Sequence, residues 1–152
     1  MASGHSGTDR DGMRDGETAV SLPDHFDAGL YFIGRIRSPW PSRAECPRRG
    51  DAEAGPICTL ELDPRWSDAL TGLGEWAQVL YWMDEARRDL VMQVSRGGTA
   101  TGTFTLRSPV RPNPIAVSLV RVVAVEGTRI KVRGLDCRDG TPLLDIKKPA
   151  AS

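Results

Sequence analysis

The sequence predicts an all-β fold, a sandwich or barrel, on three observations. Apolar residues recur with a period of two over short stretches, the pattern of strands with one buried face. The 16 glycines and 11 prolines punctuate those stretches, so the strands are short and joined by turns. Helical signals are confined mainly to Pro64–Gly74, where Pro64 suits a first helical position and Gly72 or Gly74 a stop. One or two short helices are therefore expected, in a single small domain.

Taken in order, residues 1–27 are rich in Gly, Ser, Asp and Arg, carry no apolar periodicity, and read as a disordered polar tail. The folded domain is expected over residues 28–148, with 149–152 as a C-terminal tail. Leu30, Phe32 and Ile36 would share one face of a first strand, with Gly34 between them. Cys58, Leu60 and Leu62 would share a face of a second. Trp76–Met83 is apolar almost throughout, which suits a central strand covered on both sides. Alternation returns at Leu90, Met92 and Val94 and again at Phe104 and Leu106. The β-branched run Ile115–Val125, turned by Glu126-Gly127 into Arg129–Arg133, predicts a hairpin.

Composition excludes several classes. A 39% hydrophobic and 26% charged chain is neither a helical membrane protein nor a fully disordered one. No apolar run approaches the roughly 18 residues of a membrane span, and no basic patch leads into an apolar stretch as in a secretory signal. A cytoplasmic protein is expected. Cys46, Cys58 and Cys137 are an odd number without CxxC spacing, which argues against a disulfide framework or a zinc ribbon. Cys58, in step with Leu60 and Leu62, reads as a buried thiol. Both histidines, His5 and His25, fall in the tail, so neither a His metal centre nor a Ser–His triad is expected in the body. No metal is predicted. The tail is acidic, which leaves residues 28–152 about four charges basic, a balance that permits an RNA partner without requiring one.

Dinucleotide and triphosphate loops are lacking: there is no GxGxxG after a strand and no GxxxxGK[ST]. The glycines of Arg96–Gly102 lack the P-loop lysine and read as an inter-strand loop. Two other segments stand out. Arg107-Ser108-Pro109-Val110-Arg111-Pro112-Asn113-Pro114 packs three prolines and two arginines around one asparagine. Proline fixes φ and biases its predecessor to extended geometry, so this stretch is stiff and cannot be a central strand. It is either a rigid connection or a loop that presents Arg107 to a ligand. In the second segment, Asp136–Lys147, Asp139-Gly140-Thr141-Pro142 has the chemistry of a turn. Its neighbouring carboxylates, Asp136, Asp139 and Asp145, suit a divalent cation, ribose hydroxyls with an ammonium group, or a plain polar turn.

Together, Leu106–Ile115 and Asp136–Lys147 resemble the TRSPxRPNPIGLS and DxxDGTPxxDIKPY signatures of the TsaA-like (TrmO) methyltransferase family. Ile33–Pro39 is similar to that family's opening IGxIRSP, Cys46–Arg49 to its PRQ-like loop, and Leu70–Trp76 to its GLEEF-like segment. The order is the same, over residues of about 30–148. Departures are Asp84 in place of a histidine, Ala116-Val117 in place of Gly-Leu, and Lys148 onward in place of Pro-Tyr.

The resemblance implies a small antiparallel β-barrel that binds S-adenosylmethionine, commonly as a homodimer. It also implies methylation of the exocyclic nitrogen of threonylcarbamoyladenosine beside the tRNA anticodon. Carried over by position, the cofactor contacts would be Pro47, Arg48 and Arg49; Asp84 and Glu85; Arg107; Val117; and Asp136, Cys137, Arg138, Asp139, Gly140 and Thr141. Asp136 or Asp139 is the candidate catalytic base. The alternatives are the same barrel acting on a different small acceptor, or a cofactor-binding module without catalysis.

Overall fold

The computed structural model describes residues 12–95 and 97–150. Arg96, the first residue of the glycine-rich loop, lies outside them, as do residues 1–11 and 151–152. The strands are β1 (Thr18–Ala19), β2 (Gly34–Arg37), β3 (Cys58–Leu62), β4 (Trp76–Trp82), β5 (Leu90–Val94), β6 (Ala100–Gly102), β7 (Ile115–Glu126), β8 (Arg129–Arg133) and β9 (Thr141–Lys147). They form a closed barrel in the order β2-β3-β8-β7-β4-β9, and a separate three-stranded sheet, β1-β5-β6. The chain accordingly divides into two compact units, residues 28–84 with 115–152, and residues 1–27 with 85–114.

The barrel follows from strict alternation. Cys58, Leu60 and Leu62 of β3, Ala77, Val79 and Tyr81 of β4, and Ile130 and Val132 of β8 all point into one core with Ile36, Val120, Leu135, Cys137 and Leu143. A slip of one residue in any pairing would send that strand's apolar set outward, so the register is held by burial. β4 is central as expected, pairing with β7 on one side and β9 on the other. Its alternate residues are half-buried rather than covered, because the barrel wall has one interior face. Closure needs bending: the pairing skips Val123 of β7 opposite β8 and Leu144 of β9 opposite β4. The β7–β8 hairpin turns at Gly127, whose φ of 65° suits glycine.

Two expected strand faces are corrected. β2 begins only at Gly34, and Leu30 and Phe32 are exposed. The Ile33 amide donates to the Leu143 carbonyl at 2.8 Å, so hydrogen bonding to the barrel wall reaches Ile33, and Leu30 and Phe32 precede it. Phe104 and Leu106 do not form a strand: Thr103–Thr105 is a 3-10 turn, with Thr103 buried and Phe104 80% exposed. Thr103 Oγ1 donates to the Leu90 carbonyl at 2.8 Å and accepts from Gln93 Nε2 at 2.9 Å, so a hydroxyl rather than the ring occupies that interior position.

The Pro64 helix is present as the seven-residue 3-10 segment Pro64–Leu70, with Asp63 Oδ1 accepting from the Arg65 amide at its start. A further 3-10 turn spans Arg43–Glu45. No helix among the described residues is long and apolar enough to cross a membrane. Within the stretch read as a tail, Thr18–Ala19 pairs with β5. Glu17 Oε2 accepts from the Val94 amide at 3.0 Å, and Arg14 donates to the Val94 carbonyl at 3.0 Å.

Candidate functional site

In the barrel unit, the Asp136–Thr141 turn is clamped by the chain that leaves β2. The Gly140 amide donates to the Ile36 carbonyl and the Asp139 amide to the Trp40 carbonyl, both at 2.7 Å. Ser38 closes the clamp from the other side. Its amide donates to Asp139 Oδ1 at 3.0 Å, and its hydroxyl donates to the Cys137 carbonyl at 2.7 Å. Thr141 Oγ1 donates back to the Arg138 carbonyl at 2.7 Å. Gly140 takes a φ of 85°, the left-handed region that the Asp-Gly pair predicts. The IRSP motif is thus what holds the DGT motif, so the two belong to one device although about 100 residues separate them.

The two candidate bases have different surroundings. Asp139 is engaged on both oxygens, with Ser38 on Oδ1 and the Arg37 guanidinium 3.8 Å from Oδ2. Asp136 accepts from the Tyr81 hydroxyl on Oδ1 at 2.8 Å, and the Tyr81 oxygen lies 2.8 Å from Ser118 Oγ. Burial, and then the Asp136 charge, push the Tyr81 phenol far above its ordinary value, so it stays a neutral donor. Burial likewise pushes the Cys58 thiol up to about 11 and the Cys137 thiol to about 12, with Asp136 adding to both. Cys46 is raised by burial and, next, by Asp136. These thiols are protonated at neutral pH and serve as packing and lining, not as nucleophiles. Among the described residues no group of three or more His, Cys, Asp or Glu could hold a metal ion.

The PRQ-like loop reaches the same place. Gly50, directly after Arg49, sits so close to Gly134 that any side chain there would collide with the Gly134 backbone. This close approach delivers Pro47, Arg48 and Arg49 beside the strand leading into Asp136. Both arginines are exposed. Asp84 joins through Arg138, whose Nη2 donates to Asp84 Oδ1 at 3.0 Å. The substitution for histidine therefore makes an ion pair with the turn itself. Val117, 37% exposed, pairs with Leu80 in the β4–β7 ladder.

Glu85 and Arg107 belong to the other unit. There the proline-rich loop is braced rather than free. Gln93 Nε2 donates to the Val110 carbonyl at 2.7 Å, and Arg88 Nε to the Pro112 carbonyl at 2.6 Å. Arg111 turns back to donate to the Leu106 and Ser108 carbonyls at 2.9 and 3.0 Å. Arg107 is exposed on this braced loop. Sequence reasoning missed Tyr81, Ser118 and Ser38 as site residues. A phenol on the otherwise apolar β4 was the available signal for the first, since a buried Tyr hydroxyl requires a partner.

A closed six-stranded barrel that carries a clamped, carboxylate-bearing turn defines a class of small ligand-binding β-barrels. The family model described as the tRNA-methyltransferase O N-terminal domain matches residues 35–151, and the chain belongs to that family. It is 51% identical over 138 residues to the probable S-adenosyl-L-methionine-binding protein VirR of Rhizobium radiobacter, covering 89% of this chain and 78% of that one. It is 40% identical over 122 residues to an S-adenosyl-L-methionine-binding protein of Archaeoglobus fulgidus, covering 78% and 87%. A putative S-adenosylmethionine-dependent methyltransferase of Pseudomonas aeruginosa, RcsF, is 36% identical over 124 residues, covering 76% and 54%. Among solved structures, TrmO from Pseudomonas aeruginosa superposes with a TM-score of 0.66 at 32% identity, over 82% of this chain. The chain spans 57% of the length of that TrmO.

Proposed function

We propose that this protein is an S-adenosylmethionine-dependent methyltransferase acting on tRNA, with the exocyclic nitrogen of threonylcarbamoyladenosine beside the anticodon as methyl acceptor. The observation that carries the reading is Asp136, a carboxylate positioned by Tyr81 and flanked by the clamped DGT turn and the Pro47–Arg49 loop. The printed names of the relatives, S-adenosylmethionine-binding proteins and a putative methyltransferase, support the donor. The family description supports tRNA as the acceptor molecule, and the motif resemblance supplies the modified adenosine.

The residues fit the cofactor. Its carboxylate calls for guanidinium groups, which Arg48 and Arg49 offer. Its ribose hydroxyls call for close approach of bare backbone, which the Gly140 turn offers. When bound, S-adenosylmethionine supplies a methyl group on a sulfonium, already a good leaving group. The protein's task is then positioning, which contributes up to roughly 7–11 kcal/mol when the reacting atoms are aligned. The acceptor nitrogen loses a proton as it gains the methyl. We assign that proton to Asp136, because Asp139 is committed to Ser38 and Arg37. The Tyr81 hydroxyl fixes one Asp136 oxygen, leaving the other to face the acceptor.

A cytoplasmic homodimer belongs to the same reading. Val117, Leu119, Val123 and Val125 of β7 are each more than a third exposed, two apolar pairs on either side of exposed Arg121 that suit a second copy of the chain. The function is tested by incubating the protein with labelled cofactor and tRNA bearing threonylcarbamoyladenosine, followed by mass spectrometry of the nucleosides. Methylated nucleoside is expected. Cofactor binding without transfer would move the activity to another acceptor or to binding alone.

A further inference from the structure

The segment entering β2 leaves large rings in solvent on a fixed backbone. Tyr31 is 81% exposed and Phe32 46%. Trp66, on the Pro64–Leu70 helix, is 36% exposed, and its ring lies 6.4 Å from that of Tyr31 at 50°. The backbone under these rings is pinned. The Ile33 amide donates to the Leu143 carbonyl at 2.8 Å, the Asp63 amide to the Ile33 carbonyl at 2.9 Å, and the Trp66 amide to the Asp63 carbonyl at 3.0 Å. Beside the rings lies an open depression of about 270 Å³ lined by Phe32, Gly34, Arg35, Glu61, Leu62 and Asp63.

Its charges are unevenly spent. Glu61 is held by Arg37 at 3.0 Å and Arg129 at 2.8 Å, and Asp63 by Arg65 at 3.3 Å. Among the described residues Arg35 pairs with no carboxylate. Its guanidinium carbon lies 5.6 Å from the Phe32 ring centre, and one N–H donates to the Gly140 carbonyl at 3.2 Å. Most of the five donors of this guanidinium therefore stay available beside exposed aromatic faces. Rings that stack on bases, with a cation for the phosphates, are the chemistry of single-stranded nucleic-acid binding.

We infer that Tyr31, Phe32 and Trp66, with Arg35, form a stacking platform for single-stranded RNA. The inference rests on the proposed tRNA reading and adds to it the residues that grip unpaired nucleotides. Arg35 touches both the platform and Gly140, so an RNA held on these rings lies one side chain from the turn of the candidate site. Duplex RNA is not the ligand, because its base faces are already stacked.

The test uses the full chain and two fluorescein-labelled probes, an anticodon stem-loop RNA and a blunt RNA duplex, with affinities read by anisotropy. Tyr31→Ala is expected to weaken stem-loop binding about tenfold, the loss of one stacked base, while Tyr31→Phe keeps it. Duplex affinity and calorimetric S-adenosylmethionine affinity are expected to be unchanged in both variants. Tyr31 is largely exposed, so its truncation leaves the barrel folded, and Trp66→Ala provides a second variant. Stem-loop affinity equal to wild type in both alanine variants would overturn the inference. So would an equal loss on the duplex, or a wild type that binds neither probe. Methyl transfer to tRNA with wild-type KM in Tyr31→Ala would contradict the platform and uphold the proposed function. Ring-dependent RNA binding without methyl transfer would do the reverse.

Discussion

The hydroxyl of Tyr81 donates to Oδ1 of Asp136 at 2.8 Å, and its oxygen lies 2.8 Å from Ser118 Oγ. With the phenol proton committed to Asp136, Ser118 is the donor in the second bond. Tyr81 of β4, itself held by Ser118 of β7, thus fixes the carboxylate of Asp136 at the edge of the core. Tyr81→Phe should cost about 1.5 kcal/mol of stability, since it strands a hydroxyl and loosens a charged acceptor. Methyl transfer should fall while cofactor affinity changes little. Urea denaturation and single-turnover assays measure the two effects separately.

Asp136→Asn and Asp139→Asn should fail differently. The first should lower the transfer rate by about 10²-fold or more with the fold intact, because it removes the proposed proton acceptor. The second should show as lower melting temperature and faster proteolysis at the turn, since Arg37 loses its carboxylate partner and the Ser38 amide is left with an uncharged acceptor. Rate and melting curves for both variants check this division.

Gly140→Ala should destabilise the barrel by about 1 kcal/mol, because φ at this position is 85° and a side chain disfavours that region. Space is not the obstacle: the nearest atom to an added methyl is Arg37 Nη1 at 3.8 Å. Thermal melting of the variant measures the cost.

The buried thiols predict an alkaline weakness. Cys58 and Cys137 are raised to about 11 and about 12 when folded, against about 8.5 in an unfolded chain. Below about pH 8.5 both states hold these protons and stability is unaffected. From there upward the unfolded chain releases them first, so stability falls as pH rises towards the folded values. Urea midpoints at about pH 8 and about pH 9 should show the onset of the drop before ordinary tyrosines, with a pKa of about 10, titrate. In Cys58→Ala the drop should be smaller than in wild type.

Much of the barrel was legible in the sequence, because period-two alternation in β3, β4 and β8 reports a single buried face. The β7–β8 hairpin was legible from Glu126-Gly127, and the 139–142 turn from Asp-Gly-Thr-Pro. Leu30 and Phe32 misled because alternation says that a strand has two faces, not that a neighbour exists to cover one. Phe104 misled for a related reason: hydrogen bonds of Thr103 decide that stretch, and hydroxyl pairing leaves no periodic trace. Motif resemblance located the turn and the PRQ-like loop. The Ser38 clamp and the Tyr81–Asp136 bond were invisible, since each joins residues more than 50 positions apart.

The central proposal is that the clamped turn and the Pro47–Arg49 loop hold S-adenosylmethionine. Calorimetric titration of the cofactor into the full chain tests it most directly, alongside Arg48→Ala at equal melting temperature. Saturable binding at one site per chain, weakened about tenfold or more in the variant, is the predicted result, as expected for loss of a charge-assisted hydrogen bond. No binding heat in the wild type, or an affinity unmoved by Arg48→Ala, would contradict the account.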